Sequence, residues 1–255
     1  MYKAANIDTD KALKIIEAFR REEILLKAKP ILFNTDMIRA ILDGRKTVTR
    51  RVLKNQDPNR IFNFDYVLDK NSVIYAVDLY CDNGNNGYWT LENKAPYFEG
   101  DILYVRETWG ISNFDIDEQA VYIVYKAGNE KENCQKIILP KDKIERLYNN
   151  YSESEPDWHP SIHMPKEAAR IFLRVTDVRV ERLQEICTYG VYAEGIPKCS
   201  IDPCCVGTCD ECLQDNSPIR KFIRLWDSTI KKSDIDKYGW VANPYVWVIE
   251  FERID

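Results

Sequence analysis

The chain is predicted to be an α+β protein built on a small, mostly antiparallel β-barrel, with flanking helices and a zinc-stapled insertion. Three observations carry this expectation. At least five β-patterned segments are separated by only a few helical ones, with no strand–helix–strand repeat, which disfavours a parallel sheet. Of the 255 residues 45% are hydrophobic and 12% aromatic, enough for a sizeable core in one large domain. Five of the eight cysteines fall between Cys199 and Cys212.

The first element is an amphipathic helix over Thr9 to Ala28, with Ala12, Leu13, Ile16 and Phe19 on one face. It makes residues 1–29 a helical extension of a domain spanning 30–255, which carries insertions at about 55–95 and 197–218. A second, short helix follows Asn34 or Thr35 as its cap. Its apolar face is Met37, Ile38, Ile41 and Leu42, and Gly44 supplies the left-handed residue that stops it.

Beyond that stop, Arg45, Lys46, Thr47, Thr49, Arg50 and Arg51 put four cations and two hydroxyls into seven residues, a cluster suited to an anion or a planar polar group. The plain alternative is a solvated face favoured by the helix dipole. In a regular strand Lys46, Val48 and Arg50 face one way and Thr47, Thr49 and Arg51 the other, so Lys46 and Thr49 share a site only where the backbone bends.

Turn-rich punctuation at Asp57-Pro58-Asn59, Asp69–Ser72 and Asp82–Gly87 separates three aromatic and β-branched runs into a meander over residues 55–93. Ile102 to Val105 is a buried strand from which Arg106, Glu107 and Trp109 emerge, either as an ion pair at a barrel rim or as site residues. Ala120 to Tyr125 is another strand, and Lys126 to Pro156 reads as a charged linker. His159 and His163 flank Pro160, which spoils the helical spacing a metal would need. A loop positioning one imidazole fits them better. Arg170 to Arg182 alternates as a long strand with one slip. Glu194 sits in a loop after a helix end, Phe222 to Ile230 is an amphipathic helix, and Trp240 to Arg253 ends the chain as a strand.

Cys199, Cys204, Cys205, Cys209 and Cys212 form the strongest metal signal. The Cys209-Asp-Glu-Cys212 gap is that of a zinc knuckle, and Cys199 with Cys204, or Cys205 in its place, completes a tetrahedral sulfur shell. A closed shell leaves no open position, so this zinc is structural; free thiols and a redox switch are the alternatives.

The formal charge of −5 and a pI near 5.3 argue against coating nucleic acid by bulk electrostatics. No apolar run approaches the ~20 residues needed to span a bilayer, and the N-terminus lacks a signal-peptide core, so a cytoplasmic protein without a membrane partner is expected. Protein partners are left open, with the Thr9–Ala28 helix expected to dock on the main body and a partner-binding role as its alternative.

Four segments together resemble the ASCH family, a relative of the PUA RNA-binding fold: Ile41–Arg51, Gly100–Trp109, Arg170–Leu183 with Ala193–Ile196, and Asn243–Phe251. With Ser161–Pro165 and Leu225-Trp-Asp227, the likeness spans about Pro30 to Ile254 and is nearest to longer phage and prophage members. It implies a barrel whose cleft receives a nucleoside or RNA. Small relatives hydrolyse the amide of N4-acetylcytidine, and their working lysine, threonine and glutamate fall on Lys46, Thr49 and Glu194. By this resemblance Thr49 would attack, Lys46 would take its proton and Glu194 would orient the lysine or relay the proton to the leaving amine, while Arg45, Arg50, Arg51, Arg106, Glu107, Trp109 and His163 would contact substrate or RNA. A non-catalytic RNA-binding module and a metal-independent ribonuclease are the competing expectations.

Overall fold

The computed structural model describes residues 21, 23–54, 56, 63–68, 74–82, 85–92, 95–128, 134–149, 151, 157–198 and 217–254, with 63–68, 74–82 and 85–92 described by backbone alone. In chain order the elements are β1 (Lys29–Leu32), α1 (Thr35–Leu42), β2 (Val48–Val52), β3 (Asn63–Leu68), β4 (Ile74–Asp82) and β5 (Asn85–Glu92). Then come β6 (Ile102–Arg106), β7 (Trp109–Asp115), β8 (Ala120–Tyr125), β9 (Gln135–Ile138), α2 (Lys141–Tyr148) and β10 (Asp157–His159). The chain closes with β11 (Phe172–Arg182), α3 (Thr188–Ala193), α4 (Pro218–Thr229), α5 (Ile235–Tyr238) and β12 (Tyr245–Ile254). The α+β class expected from the sequence is present. The expected barrel is not closed among the described residues: the sheets there are open, each with two edge strands.

Two compact units divide the chain. The first comprises Met1–Thr35, Asp101–Leu173 and Ile254–Asp255. Here β1 runs parallel to β6, and a four-stranded antiparallel sheet has the order β10-β7-β8-β9. Trp109, Ile111, Ile123, Leu139 and Met164 are shut away in its core, with Ile144 of α2 packed on them. The stretch expected to be a linker thus supplies both β9 and α2. Its charges lie on the outside, as on Lys141, Asp142, Lys143 and Glu145, while Ile137, Leu139 and Ile144 are the few apolar residues that anchor it.

The second unit comprises Asp36–Gly100 and Arg174–Arg253. β12 pairs antiparallel with β2, setting Ile249 opposite Thr49 and Val248 opposite Arg50. The meander appears as β3, β4 and β5, a separate three-stranded antiparallel sheet. Val48, Val246 and Val248 pack with Leu183, Val191 and the α4 residues Phe222 and Trp226. Burial of apolar area at about 25 cal/mol per Å² is what holds these faces together.

The Cys199–Cys212 zinc expectation and most of the Thr9–Ala28 helix lie outside the described residues, of which residues 23–27 are helical. No group of metal-ligating side chains is present among the described residues. No described helix is long and apolar enough to cross a membrane.

Candidate active site at the Lys46–Glu194 pair

Two helix ends build this site. The left-handed turn at Gly44 (φ 71°) closes α1: the Gly44 N–H donates to the Ile41 carbonyl (3.0 Å) and the Arg45 N–H to that of Ala40 (2.8 Å). That pair of bonds is a Schellman cap. The Ala40 carbonyl also accepts from the Lys46 N–H at 2.9 Å, which fixes where the lysine leaves the helix. The other end is that of α3, capped by Glu194 and turned by Gly195 (φ 94°). An isolated antiparallel bridge joins Lys46 to Glu194, and the Thr47 N–H donates to the Ala193 carbonyl at 2.9 Å. Both helices direct the negative ends of their dipoles here, which suits cations.

The Lys46 side chain is wholly buried. Its ammonium donates to Glu194 Oε2 (2.6 Å), to the Val48 carbonyl (2.7 Å) and to the Glu194 carbonyl (2.9 Å). That is one acceptor for each proton of the ammonium. Burial pushes the Lys46 amine below its ordinary range; Glu194 opposes the shift, while the guanidiniums of Arg51 and Arg50 add to it.

The second oxygen of Glu194, Oε1, accepts from Arg50 Nη1 at 3.2 Å. Arg50 Nη2 reaches Glu181 Oε2, also at 3.2 Å. Arg45 instead donates to the Gly195 carbonyl (2.6 Å) and to Asp43 (2.8 Å). Arg51 Nη1 donates to the Arg50 carbonyl at 3.3 Å.

The structure therefore brings Lys46, Glu194 and Arg50 together, and gathers Arg45 and Arg51 around them. Thr49 lies in β2, where strand alternation turns it to the face opposite Arg50. The residue is 1% exposed, and its buried hydroxyl has no hydrogen-bond partner among the described residues, Lys46 included. A buried hydroxyl without a partner costs about 1–3 kcal/mol, so its position calls for an explanation.

On the outer side of Glu194 is a cavity of about 340 Å³. Met37, Ala40, Ile196, Pro197 and Leu225 make its apolar wall, and Arg39, Arg45 and Glu194 supply polar groups. That is the size and mixed lining of a small-molecule pocket. Gly195 and the α1 face were not singled out by sequence as part of a site. The signal available in the sequence was a glycine directly after Glu194 at a helix end.

The remaining site candidates belong to the first unit. Trp109 is 1% exposed and stacks on His159 with ring centroids 4.7 Å apart. Glu107, equally buried, takes a two-pronged pair from Arg170 at 2.8 and 2.9 Å. Arg106 donates to the Ile162 carbonyl. His163 is exposed at the end of a single 3-10 turn, Ser161–His163.

No family model matches the chain, and neither a curated protein nor a solved structure does so.

Proposed function

We propose that the chain is an ASCH-type protein that acts on a modified pyrimidine nucleoside or RNA base, hydrolysing an exocyclic amide of the N4-acetylcytidine kind. The observation that carries this reading is the Lys46 ammonium, sealed from water against a carboxylate that also lines an open cavity. Amide hydrolysis needs a nucleophile, a proton acceptor and a charge to steady the oxyanion.

In this reading the Lys46 amine, drawn below its ordinary range by burial, takes the proton of Thr49 as the hydroxyl oxygen bonds to the amide carbon. The guanidinium of Arg51, which shares the Thr49 face of β2 by strand alternation, balances the oxyanion, and the same proton leaves with the departing amine as the C–N bond breaks. Water then cleaves the threonine ester, releasing the acid. The partnerless Thr49 hydroxyl supports its part, since it is a buried polar atom left for a ligand to satisfy.

A specific observation favours a second reading, a non-catalytic RNA- or nucleoside-binding module. Three acceptors already surround the ammonium, as in a structural staple, and no hydrogen bond links Lys46 to Thr49. Incubation with N4-acetylcytidine separates the readings. Acetate release that is lost in Lys46→Ala and Thr49→Ala supports the hydrolase. A folded protein without turnover, but with salt-dependent oligonucleotide binding, supports the module. Metal-independent RNA cleavage would instead support a ribonuclease.

A further inference from the structure

Six ion pairs of the second unit link Lys46, Glu194, Arg50, Glu181, Arg179, Asp177 and Glu250 into a ladder. Glu194 gives Oε2 to Lys46 and Oε1 to Arg50. Arg50 gives Nη1 to Glu194 and Nη2 to Glu181. Glu181 gives Oε2 to Arg50 and Oε1 to Arg179 at 2.6 Å. Arg179 is closed off by Asp177 at 2.7 Å and by Glu250. No carboxylate oxygen of Glu194 or Glu181 serves two of these cations. The ladder starts at a fully buried lysine and ends at groups that are a third to a half exposed.

We propose that Glu181 is a positioning residue for the Lys46–Glu194 pair, acting through Arg50. The Arg50 guanidinium has two carboxylate partners, and its Nε is buried without one among the described residues. Its direction is set by those two alone. Held by Glu181, it occupies Oε1 of Glu194, so the carboxylate cannot rotate to embrace the lysine with both oxygens. Arg50 Nη2 runs close over α3, where a Cβ on Gly190 would touch it at 3.4 Å and press on Ile186 Cγ1 at 3.0 Å. Arg179 in turn holds Glu181, and Asp177, Arg179 and Glu181 share one face of β11 by their period of two.

This inference rests on the proposed hydrolase reading for its rate effects, but the positioning itself is read without activity. The test is the titration of Lys46 Nζ, followed by NMR in lysine-labelled full-length protein. Among the described residues, the charged groups acting most strongly on it are Glu194, Arg51 and Arg50. Glu181→Gln is expected to move the Lys46 midpoint to lower pH, because a negative charge is lost from the ladder and Arg50 is left to Glu194. Glu181→Asp, which keeps the charge but draws it back from Arg50, is expected to fall between wild type and Glu181→Gln. A midpoint unchanged in Glu181→Gln overturns the proposal, and so does Glu181→Asp matching wild type, which would reduce the effect to charge at a distance.

Should Glu181→Gln not fold, Arg179→Gln, one link further out, is expected to move the midpoint by a smaller amount in the opposite direction; no movement overturns the proposal. With N4-acetylcytidine, Glu181→Gln should lower the plateau kcat by about tenfold or more with KM little changed, as expected for misplacement of reacting groups, and carry the acid limb of the pH profile downward. A purely structural role would lower the active fraction and leave that limb in place. Absence of turnover in wild type would defeat the hydrolase reading while the Lys46 titration still decides the positioning.

Discussion

Gly195 and Ala40 approach so closely that a Cβ on residue 195 would stand 2.7 Å from the Ala40 Cβ, and 3.1 Å from that of Lys46. The turn after α3 thus lies directly on the last turns of α1. This contact sets Glu194 and Lys46 side by side: Glu194 directly precedes Gly195, and the Lys46 N–H donates to the Ala40 carbonyl at 2.9 Å.

Gly195→Ala is therefore expected to destabilise the protein in two ways. The left-handed backbone at φ 94° strains any side chain, and the new methyl overpacks against Ala40; together these should cost about 2–4 kcal/mol. Gly44→Ala is the control. Gly44 has a similar positive φ of 71° but nothing within 4 Å of its added Cβ, so only the strain of about 1–2 kcal/mol applies. Urea unfolding of the two variants checks the difference. Equal losses would mean that the close approach to Ala40 carries no weight.

Much of this geometry can be traced to residues readable in the sequence. Gly44 marks the end of α1 because an apolar i, i+3, i+4 face stops there, and the cationic run after it follows from that stop. The alternation of Lys46, Val48 and Arg50 is also visible, and it is the parity that lets the two cations reach one carboxylate. Other parts were hidden by their chemistry. β9 and α2 carry many charges on their outer faces, so their period is drowned by polar residues, and neighbouring elements supply most of the apolar area that fixes them. β12 is buried from Tyr245 to Ile249 on both faces, so alternation does not show which side packs against the core. Partner choice across 144 to 148 residues, as for Arg50 and Lys46 with Glu194, is set by tertiary packing and has no local signal.

Lys46→Met should be strongly destabilising although methionine fits an apolar site. It leaves the Glu194 carboxylate buried with Arg50 alone, and breaking one side of a buried pair typically costs about 3–5 kcal/mol. Lys46→Met combined with Glu194→Leu removes both charges and leaves Arg50 to Glu181, so the double variant should recover part of the loss. Chemical denaturation of the two single variants and the double one forms the cycle. A double variant no better than Lys46→Met would mean that Glu194 is needed for more than its pairing.

The lowered Lys46 amine has a stability consequence of definite sign. Between its folded value and the ordinary lysine value of 10.5, the unfolded chain binds a proton that the folded chain has released. Unfolding then takes up protons, and stability rises with pH across that window. The cost of burying the charge is fully present below the folded value and fades as pH climbs toward 10.5. Because many other groups titrate there, the quantity to measure is the unfolding free energy of wild type minus that of Lys46→Met. It should grow as pH rises through the window. A difference that shrinks would place the Lys46 amine above its ordinary range and remove the base assigned to it.

In the first unit, the Arg170 guanidinium grips Glu107 through Nε and Nη2 and lies over the Tyr125 ring, 4.2 Å from its centroid. Arg170→Lys keeps the charge but has neither the planar fork nor the flat face that stacks on the phenol. The loss of one charge-assisted bond and of the stacking should cost about 2–3 kcal/mol, and Arg170→Met, which strands the buried Glu107, about 3–5 kcal/mol. Tyr125 itself is held above its ordinary range of 10.0, by burial first and by Glu107 next, so its phenol keeps a proton that the unfolded chain loses and its contribution to stability falls as pH passes 10. Thermal melts of Arg170→Lys and Arg170→Met test this arrangement, together with alkaline titrations of wild type and Tyr125→Phe, whose phenolate absorbance should match just above the ordinary tyrosine value of 10.0 while the protein stays folded. A lysine variant as stable as wild type would reduce the Arg170 contact to simple charge balance, with neither the fork nor the stacked ring contributing.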